Sequence, residues 1–335
     1  MYALGIESTA HSFGCGIVSF DGKILANEKA VFTTKKGGMI PSNVAKHHEQ
    51  VKDKVVNAAL KKAGLKLKDL ALISYSHGPG MAPCLLIGLG KAKELAKKAD
   101  LPLVGVNHCI AHLTIGDLIC GTEDPVYLYV SGVNTQVISL AGRRFRIFGE
   151  TLDIGLGNAL DKFGREAGLG FPAGPEIEQL AKKGTYVELP YSVKGMDVSF
   201  AGMITHATRL VTEGKAKVED VCHSLQETAF SMLAEVAERA MAYTGKGELL
   251  LIGGVAANKR LCKMLDTMCR ERDAKFFAVP IEYSGDQGAM IAWQGVLQFK
   301  SGDSVDPEKA DIFPYERTDQ VDIFWKSESP LSKKP

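Results

Sequence analysis

Residues 2–31, YALGIESTAHSFGCGIVSFDGKILANEKAV, set the architecture of the chain. An apolar segment leads into a turn of small and hydroxyl residues, then an alternating segment, an Asp-Gly turn at residues 21 and 22, and a third segment. Alternation with period two and a tight Asp-Gly turn are typical of antiparallel strands joined by hairpins. This stretch therefore predicts three consecutive β-strands.

The second half of the chain repeats this plan. Residues 126–152, VYLYVSGVNTQVISLAGRRFRIFGETL, again give strand, turn, strand, turn and strand. Later in each half an apolar strand runs into a glycine-containing turn and then a helix, in ALISYSHGPG at 71–80 and in LLLIGGVAANKR at 249–260. Because the elements follow in the same order, the pattern indicates a duplicated domain.

Duplicated units of this kind build the actin, sugar kinase and Hsp70 superfamily. The pattern predicts an α/β fold of that type, with two lobes around a nucleotide cleft. In that architecture the hairpin turns, here with Ser131, Gly132, Asn134 and Thr135, offer backbone N–H groups to phosphates. The Gly253-Gly254 turn would hold adenosine, although such a short motif is also compatible with the simple end of a buried strand.

Domain boundaries follow from the repeat. We expect an N-terminal lobe at 1–122 and a C-terminal lobe at 123–300. The hairpin and the strand-turn-helix unit lie farther apart in the second half, so we expect an insertion near 155–215. The polar segment 301–335 would return to the N-terminal lobe and end in a disordered tail. Helices are predicted at 41–63, 83–99, 107–120, 158–168, 175–183, 219–243, 256–271 and 286–299.

Composition limits the classes of function. The 335 residues are 45% hydrophobic and 24% charged, which is ordinary for a globular protein. No leader pattern and no apolar run long enough for a membrane helix is present, so we expect a cytoplasmic protein without membrane contact. A formal net charge of +1 excludes binding of nucleic acid by bulk charge alone. Candidate basic patches are Lys35-Lys36, the run 91–98, and the arginines at 143, 144 and 146, each more simply interpreted as a solvated face.

The stretch VNHCIAHL at 106–113 carries the clearest chemistry. Asn107 can cap a helix that places His108 and His112 one turn apart on one face, where both imidazoles can bind one metal ion. The zinc-protease pattern requires a glutamate after the first histidine, but Cys109 stands there, which argues against peptide hydrolysis.

A third ligand is needed, and the sequence offers one. Asp286, in SGDQGAMIAW, lies at a turn expected to open a helix. Two alternatives stay open: buried histidines that are only hydrogen-bonded, and an aspartate that is only a helix cap. His47 and His48 form a second histidine pair, interpreted as a half-exposed helix face.

Seven motifs together resemble one known family: NHCIAH, YVSG-N-TQ, GETLD, VKGMD, SLQETAF, GGVAANKRL and D-x-GAMIAW. The family was once labelled O-sialoglycoprotein endopeptidase and is now understood as the tRNA threonylcarbamoyladenosine transferase, the catalytic subunit of the archaeal and eukaryotic KEOPS complex. The resemblance covers about residues 1–325.

The resemblance implies site residues. One iron or zinc ion would be bound by His108, His112, Tyr129 and Asp286. The adenylate site, which would also accept ATP or AMP analogues, would be lined by Tyr129, Val130, Ser131, Gly132, Val133, Asn134, Asp161, Gly174, Glu178, Gly253, Gly254 and Asn258. Three positions depart from the family's usual residues: Val133 and Ala173, which replace glycines, and Gln287, which replaces asparagine.

The resemblance also implies a reaction. The threonylcarbamoyl group of threonylcarbamoyl-AMP would pass to N6 of adenosine 37 in tRNAs that read codons beginning with A. Glu7 and Asp161 are candidates for steering or deprotonating the amine. The partners would be tRNA and the KEOPS subunits, namely a kinase-like ATPase, a small dimerising subunit and an accessory subunit. In some relatives the kinase is fused to the chain. The alternatives are an Hsp70-like ATPase and a small-molecule kinase.

Overall fold

The computed structural model describes residues 1–33 and 40–326. The chain forms two compact units, one made of Met1–Ile119 and the described residues from Gly285 on, the other of Cys120–Ser284. Lys35, Lys36 and the expected polar tail beyond residue 326 lie outside the described residues.

The first unit contains a five-stranded sheet in the order β3-β2-β1-β4-β5. The first three strands form an antiparallel meander, β4 pairs in parallel with β1, and β5 pairs in parallel with β4. The three strands predicted from residues 2–31 are confirmed. The strands are β1 Tyr2–Glu7, β2 Ser12–Ser19, β3 Ile24–Val31, β4 Leu72–Gly78 and β5 Leu103–Asn107.

The second unit repeats this sheet in the order β12-β11-β6-β7-β8. Its first three strands are again an antiparallel meander, and the last two again join in parallel beside the first. The predicted duplication is therefore confirmed strand by strand. The strands are β6 Val126–Val130, β7 Thr135–Ala141, β8 Arg144–Glu150, β11 Glu248–Ile252 and β12 Lys275–Ala278, and a short pair, β9 Val193–Lys194 and β10 Asp197–Val198, forms a separate hairpin.

All eight predicted helices are present, with ends shifted by up to three residues. The first helix shows why these predictions work: Pro41 occupies its first turn, and Gly64 ends it in the left-handed conformation. The helices are α1 Pro41–Ala63, α2 Ala82–Ala99, α3 His108–Cys120, α4 Leu156–Glu166, α5 Gly174–Ala181, α6 Ala201–Thr212, α7 Val218–Thr244, α8 Lys259–Glu271, α9 Ile281–Ser284 and α10 Gly288–Lys300.

The helix α10 belongs to the first unit, and the expected lobe boundary at residue 300 differs from this division. It packs on β1 so closely that a Cβ added to Gly5 would lie 2.1 Å from the backbone nitrogen of Ala292. The sequence repeat gave no sign that the chain crosses back before this helix. The segment that follows stays with the same unit: Val305 bridges to Leu103, and Ala310 is buried in its core.

The connection between β8 and β11 holds the extra elements of the second unit. It contains α4, α5, the β9-β10 hairpin, α6 and α7, whereas the described part of the equivalent connection in the first unit contains α1 and one short 3-10 turn. The helix α6 was not predicted. Its sequence AGMITHATRLVT is rich in threonine and begins without a capping side chain, so it carries no clear start signal.

Each unit has its own apolar core, formed between its sheet and its helices. Across residues 1–33 and 40–326, none of the helices combines the length and apolar character that crossing a bilayer requires.

Candidate active site

The helix α3 places two histidines at the end of β5. The predicted cap is confirmed: Oδ1 of Asn107 accepts hydrogen bonds from the backbone N–H groups of Cys109 and Ile110, at 3.1 and 3.2 Å. A side-chain oxygen at this position satisfies two donors that the first helical turn leaves free. The helix therefore begins at His108, and His112 follows one turn later on the same face.

The two histidines meet a carboxylate from the loop before α10. Oδ1 of Asp286 lies 3.5 Å from Nε2 of His108 and 3.4 Å from Nε2 of His112. The three side chains offer ligand atoms within 4.8 Å of one another. The histidines are 8% and 3% exposed. Of the four predicted metal ligands, the two histidines and Asp286 lie together in the first unit.

This donor set fits a transition-metal ion. Two imidazole nitrogens and one carboxylate oxygen are the ligands of catalytic zinc sites and of the facial triad of non-haem iron. Burial raises the pKa of Asp286, but the adjacent imidazoles of His112 and His108 outweigh it and bring the pKa well below its usual range. The carboxylate is therefore ionised and can act as a ligand at any physiological pH.

Glu7, at the end of β1, supports the cluster from behind. It is fully buried, and its Oε2 lies 2.9 Å from Nδ1 of His108. Its other oxygen accepts hydrogen bonds from the backbone N–H and the hydroxyl of Thr9, at 2.7 and 2.5 Å. A carboxylate on Nδ1 keeps the proton there and leaves Nε2 as the ligand atom, the arrangement found behind many metal-binding histidines.

The surroundings polarise the two imidazoles differently. Burial lowers the pKa of His108, but the charge of Glu7 and its hydrogen bond raise it further, to about 9. For His112, burial dominates and lowers the pKa, although Asp286 opposes this. His112 is thus the more readily neutral ligand, and His108 sits where negative charge attracts a cation.

Tyr129 lies in the second unit, on β6, and is 3% exposed. Its role as a further metal ligand stays a prediction.

The turn between β6 and β7 is tightly closed by its own polar groups. The backbone N–H of Ser131 donates to the carbonyl of Asn134 at 2.7 Å, and Oγ of Ser131 accepts from the N–H of Asn134 at 3.0 Å. Val133 projects from the turn with 73% of its surface exposed and does not adopt a positive φ. A β-branched residue therefore fits here, and the departure from glycine leaves the turn intact.

The end of β11 approaches the end of β6 through Gly253. This residue has a φ of +94°, and an added Cβ would lie 2.3 Å from the carbonyl oxygen of Val130. Gly254 begins a short 3-10 helix. Asn258 caps α8, because its Oδ1 accepts hydrogen bonds from the backbone N–H groups of Arg260 and Leu261. Its side-chain amide nitrogen donates to Oε1 of Gln226 at 2.8 Å. In these contacts Asn258 has a structural role, as the cap of α8.

Glu178 and Asp161, also predicted for the nucleotide site, accept backbone hydrogen bonds within the second unit. Oε1 of Glu178, on α5, accepts from the N–H of Lys259 at 3.0 Å. Oδ1 of Asp161, on α4, accepts from the N–H of Ala173 at 2.7 Å, directly before Gly174 at the start of α5. Ala173 has right-handed helical angles, so this position does not require glycine.

Sequence reasoning missed several supporting residues. Gln287 is buried, and its Oε1 accepts from Nδ2 of Asn27 at 2.6 Å, which holds the start of α10 against β3. The spacing of these residues in sequence gave no signal for this pair. The interpretation of His48 as half-exposed is wrong: it is fully buried, packs edge-on against Phe13 and binds the carbonyl of Ala10 at 2.9 Å.

The fold recurs in distant solved structures. HypF from T. kodakarensis matches 89% of this chain and 48% of its own at 17% identity, with a TM-score of 0.60. The activator of the 2-hydroxyisocaproyl-CoA dehydratase from Clostridium difficile matches 90% of this chain and 97% of its own at 13% identity, with a TM-score of 0.53. These likenesses concern the fold alone and agree with the predicted actin, sugar kinase and Hsp70 class.

Close relatives share nearly the whole chain. A protein named tRNA N6-adenosine threonylcarbamoyltransferase from Thermococcus sibiricus is 51% identical over 97% of this chain and 100% of its own length. One of the same name from Thermofilum pendens is 52% identical over 97% of both. A probable bifunctional tRNA threonylcarbamoyladenosine biosynthesis protein from Methanothermobacter thermautotrophicus is 51% identical over 98% of this chain, which spans 62% of that protein.

The family model described as tRNA N6-adenosine threonylcarbamoyltransferase matches residues 23–293. This range contains both histidines, Asp286 and every predicted nucleotide residue. The chain therefore belongs to the tRNA N6-adenosine threonylcarbamoyltransferase family.

Proposed function

We propose that the protein transfers the threonylcarbamoyl group from threonylcarbamoyl-AMP to N6 of adenosine 37 in tRNAs reading codons that begin with A. The transfer is assisted by one iron or zinc ion, and the chain acts as the catalytic subunit of KEOPS. The observation that carries this proposal is the buried cluster of His108, His112 and Asp286, backed by Glu7 on the first histidine.

The reaction is an acyl transfer. The N6 amine attacks the carbonyl carbon of the donor, a C–N bond forms, the bond to the phosphate oxygen breaks, and AMP leaves while N6 loses a proton. The amine is a weak nucleophile because its lone pair is delocalised into the purine, so orientation and charge stabilisation contribute most of the rate. A bound ion would supply electrostatic attraction for the donor's phosphate oxygens.

The protein's own residues would hold the ion and the nucleotide. The two histidines and Asp286 are the ligands that the first unit offers, with Tyr129 proposed as a further one. The residues proposed for the adenylate are those of the 130–134 turn and the Gly253-Gly254 turn, with Asp161, Gly174, Glu178 and Asn258. Backbone N–H groups in such turns suit phosphate oxygens.

Of the two candidates for proton removal, Glu7 has both carboxylate oxygens in hydrogen bonds, whereas Asp161 accepts one through Oδ1. Glu7 is fully buried against His108, and Asp161 accepts the N–H of Ala173. These contacts favour an orienting role for Glu7.

The nearly neutral chain supports shared binding of tRNA. A net charge of +1 provides little attraction for the phosphate backbone. The basic run at 91–98 contributes less than its sequence suggests, because Lys91 is buried in contacts with Asp53 and Glu94 at 2.6 and 2.8 Å. We therefore propose that the other KEOPS subunits provide much of the tRNA-binding surface.

The test measures metal content and tRNA product together. His108→Ala and His112→Ala should each lose the bound metal and at least tenfold of the rate of transfer to tRNA in the reconstituted complex, whereas His206→Ala, an exposed histidine on α6, should change neither. Full transfer by a metal-free double variant would refute metal assistance. Steady ATP turnover without tRNA product would instead support an Hsp70-like ATPase, and a phosphorylated small molecule would support a kinase.

A further inference from the structure

The C-terminal strap, residues 311–318, crosses the ends of β4 and β5 and is fixed there by hydrogen bonds. The hydroxyl of Tyr75 donates to the carbonyl of Asp311 at 2.9 Å, and the N–H of Phe313 donates to the carbonyl of His77 at 2.6 Å. At Gly78 an added Cβ would lie 1.9 Å from the carbonyl oxygen of Phe313. The strap thus lies against the end of β4, which is the neighbour of β5 in the sheet, and β5 leads directly into the histidine-bearing helix α3.

Glu316 makes the central contact of the strap. A single oxygen, Oε2, accepts from Nδ2 of Asn107 at 2.9 Å and from Nε2 of His77 at 2.8 Å. Burial raises the pKa of this carboxyl, but the hydrogen bonds from His77 and Asn107 outweigh it and lower the pKa. Glu316 is therefore an ionised acceptor that receives two side-chain donors.

Asn107 links Glu316 to the first turn of α3. Its amide nitrogen is bound by Glu316, and its amide oxygen receives the N–H groups of Cys109 and Ile110 in the first helical turn. Binding one end of a planar amide fixes where the other end points.

We propose that Glu316 is a positioning residue for the metal centre: through Asn107 it holds the first turn of α3 so that Nε2 of His108 faces Asp286. This proposal rests on the metal cluster of the proposed function. It assigns a role to the C-terminal strap that lies outside residues 23–293, the range matched by the family model.

The position of Glu316 distinguishes this role from general anchoring of the C-terminal segment. Glu308 lies on the same C-terminal segment and also forms an ion pair, with Lys97 at 2.5 Å, but both side chains are mostly exposed and Lys97 belongs to α2. Glu308→Ala is therefore a matched control that removes a carboxylate and a tie of the segment while leaving Asn107 untouched.

Two measurements on the full chain test the proposal. The first is amide hydrogen exchange of the first turn of α3 in metal-free protein, and the second is the dissociation constant for Zn²⁺. Glu316→Ala should speed exchange at Cys109 and Ile110 at least tenfold and weaken Zn²⁺ binding about tenfold or more. Glu316→Gln should stay within threefold of the wild type in both, because one amide oxygen still accepts both donors.

A charge-swap pair keeps the test valid if Glu316→Ala perturbs the fold. Asn107→Asp places a carboxylate against Glu316 and should weaken Zn²⁺ binding. Adding Glu316→Gln should restore it, because the new amide donates to the new carboxylate. Wild-type exchange and Zn²⁺ affinity in Glu316→Ala, or an equal loss in Glu308→Ala, would overturn the proposal. Absence of Zn²⁺ binding by the wild type would instead refute the proposed metal centre, while exchange would still report on the helix.

Discussion

Nδ1 of His108 lies 2.9 Å from Oε2 of Glu7. The Glu7 carboxylate is completely buried, and its other oxygen accepts a hydrogen bond from Thr9. Such a carboxylate is poorly placed to collect a proton from a substrate. It is well placed to fix the tautomer and the direction of an imidazole. The buried glutamate therefore acts on the histidine.

Replacing Glu7 should weaken the binding of metal by the His108, His112 and Asp286 cluster. Glu7→Gln keeps an acceptor for Nδ1 but removes the charge, so we expect Zn²⁺ affinity to fall about tenfold, and about a hundredfold for Glu7→Ala, which also leaves buried donors unsatisfied. Equilibrium titration with Zn²⁺ measures this. Glu28, on β3, is a partly exposed carboxylate that pairs with Lys62. The control variant Glu28→Gln should therefore leave the Zn²⁺ affinity unchanged. Unaltered affinity in both Glu7 variants would contradict the assigned role.

Metal should stabilise the folded protein through the same cluster. A ligand that binds only the native state at a thousandfold excess over its dissociation constant adds about 4 kcal/mol to the free energy of unfolding. Zn²⁺ should therefore raise the melting temperature of the wild type by several degrees, and EDTA should reverse the rise. His112→Ala should not respond. An equal response in that variant would place the stabilising ion elsewhere.

The sequence was sufficient for the architecture because both halves carry the same local signals. Alternating strands, an Asp-Gly turn, Pro41 in a first turn and Gly64 after a last turn are all local signals, and such signals predicted most strands of the two sheets and eight of the ten described helices. The return of α10 to the first sheet could not be predicted in this way, because it depends on the absence of a side chain at Gly5, far away in the chain. Two helices were missed: α6, which has neither a capping side chain nor an acidic residue in its first turn, and α9, which has only four residues.

In the candidate site, too, local spacing predicted some contacts and long-range contacts could not be predicted. His108 and His112 were visible because a helix brings positions four apart together. The contacts of Glu7 with His108 and of Glu316 with Asn107 join residues 101 and 209 positions apart, and no spacing rule connects them. Asp286 was predicted as a third ligand from its position at an expected helix start, whereas no sequence pattern pointed to Glu316.

Gly253 should be intolerant of a side chain. Its φ of +94° and the 2.3 Å approach of an added Cβ to the carbonyl of Val130 predict that Gly253→Ala lowers the free energy of unfolding by about 3 kcal/mol. Denaturant unfolding measures the loss. The neighbouring Gly254→Ala is the control, because nothing lies within 4 Å of its added Cβ, and it should change stability by less than about 1 kcal/mol. Equal losses in the two variants would show that the approach to Val130 is unimportant.

Buried His48 should make stability depend on pH below neutrality. Burial lowers its pKa from 6.5 to about 4, so that between these values the unfolded chain binds a proton that the folded chain does not. The folded state therefore loses stability as the pH falls from about 6.5 to about 4, by at most about 3 kcal/mol from this residue. His48→Gln should show a flatter decline over this window in denaturant unfolding, even if its stability at pH 7 is lower. The exposed His206→Gln should follow the wild-type curve, and an identical pH dependence of wild type and His48→Gln would mean that His48 takes up its proton in the folded state as easily as in the unfolded one.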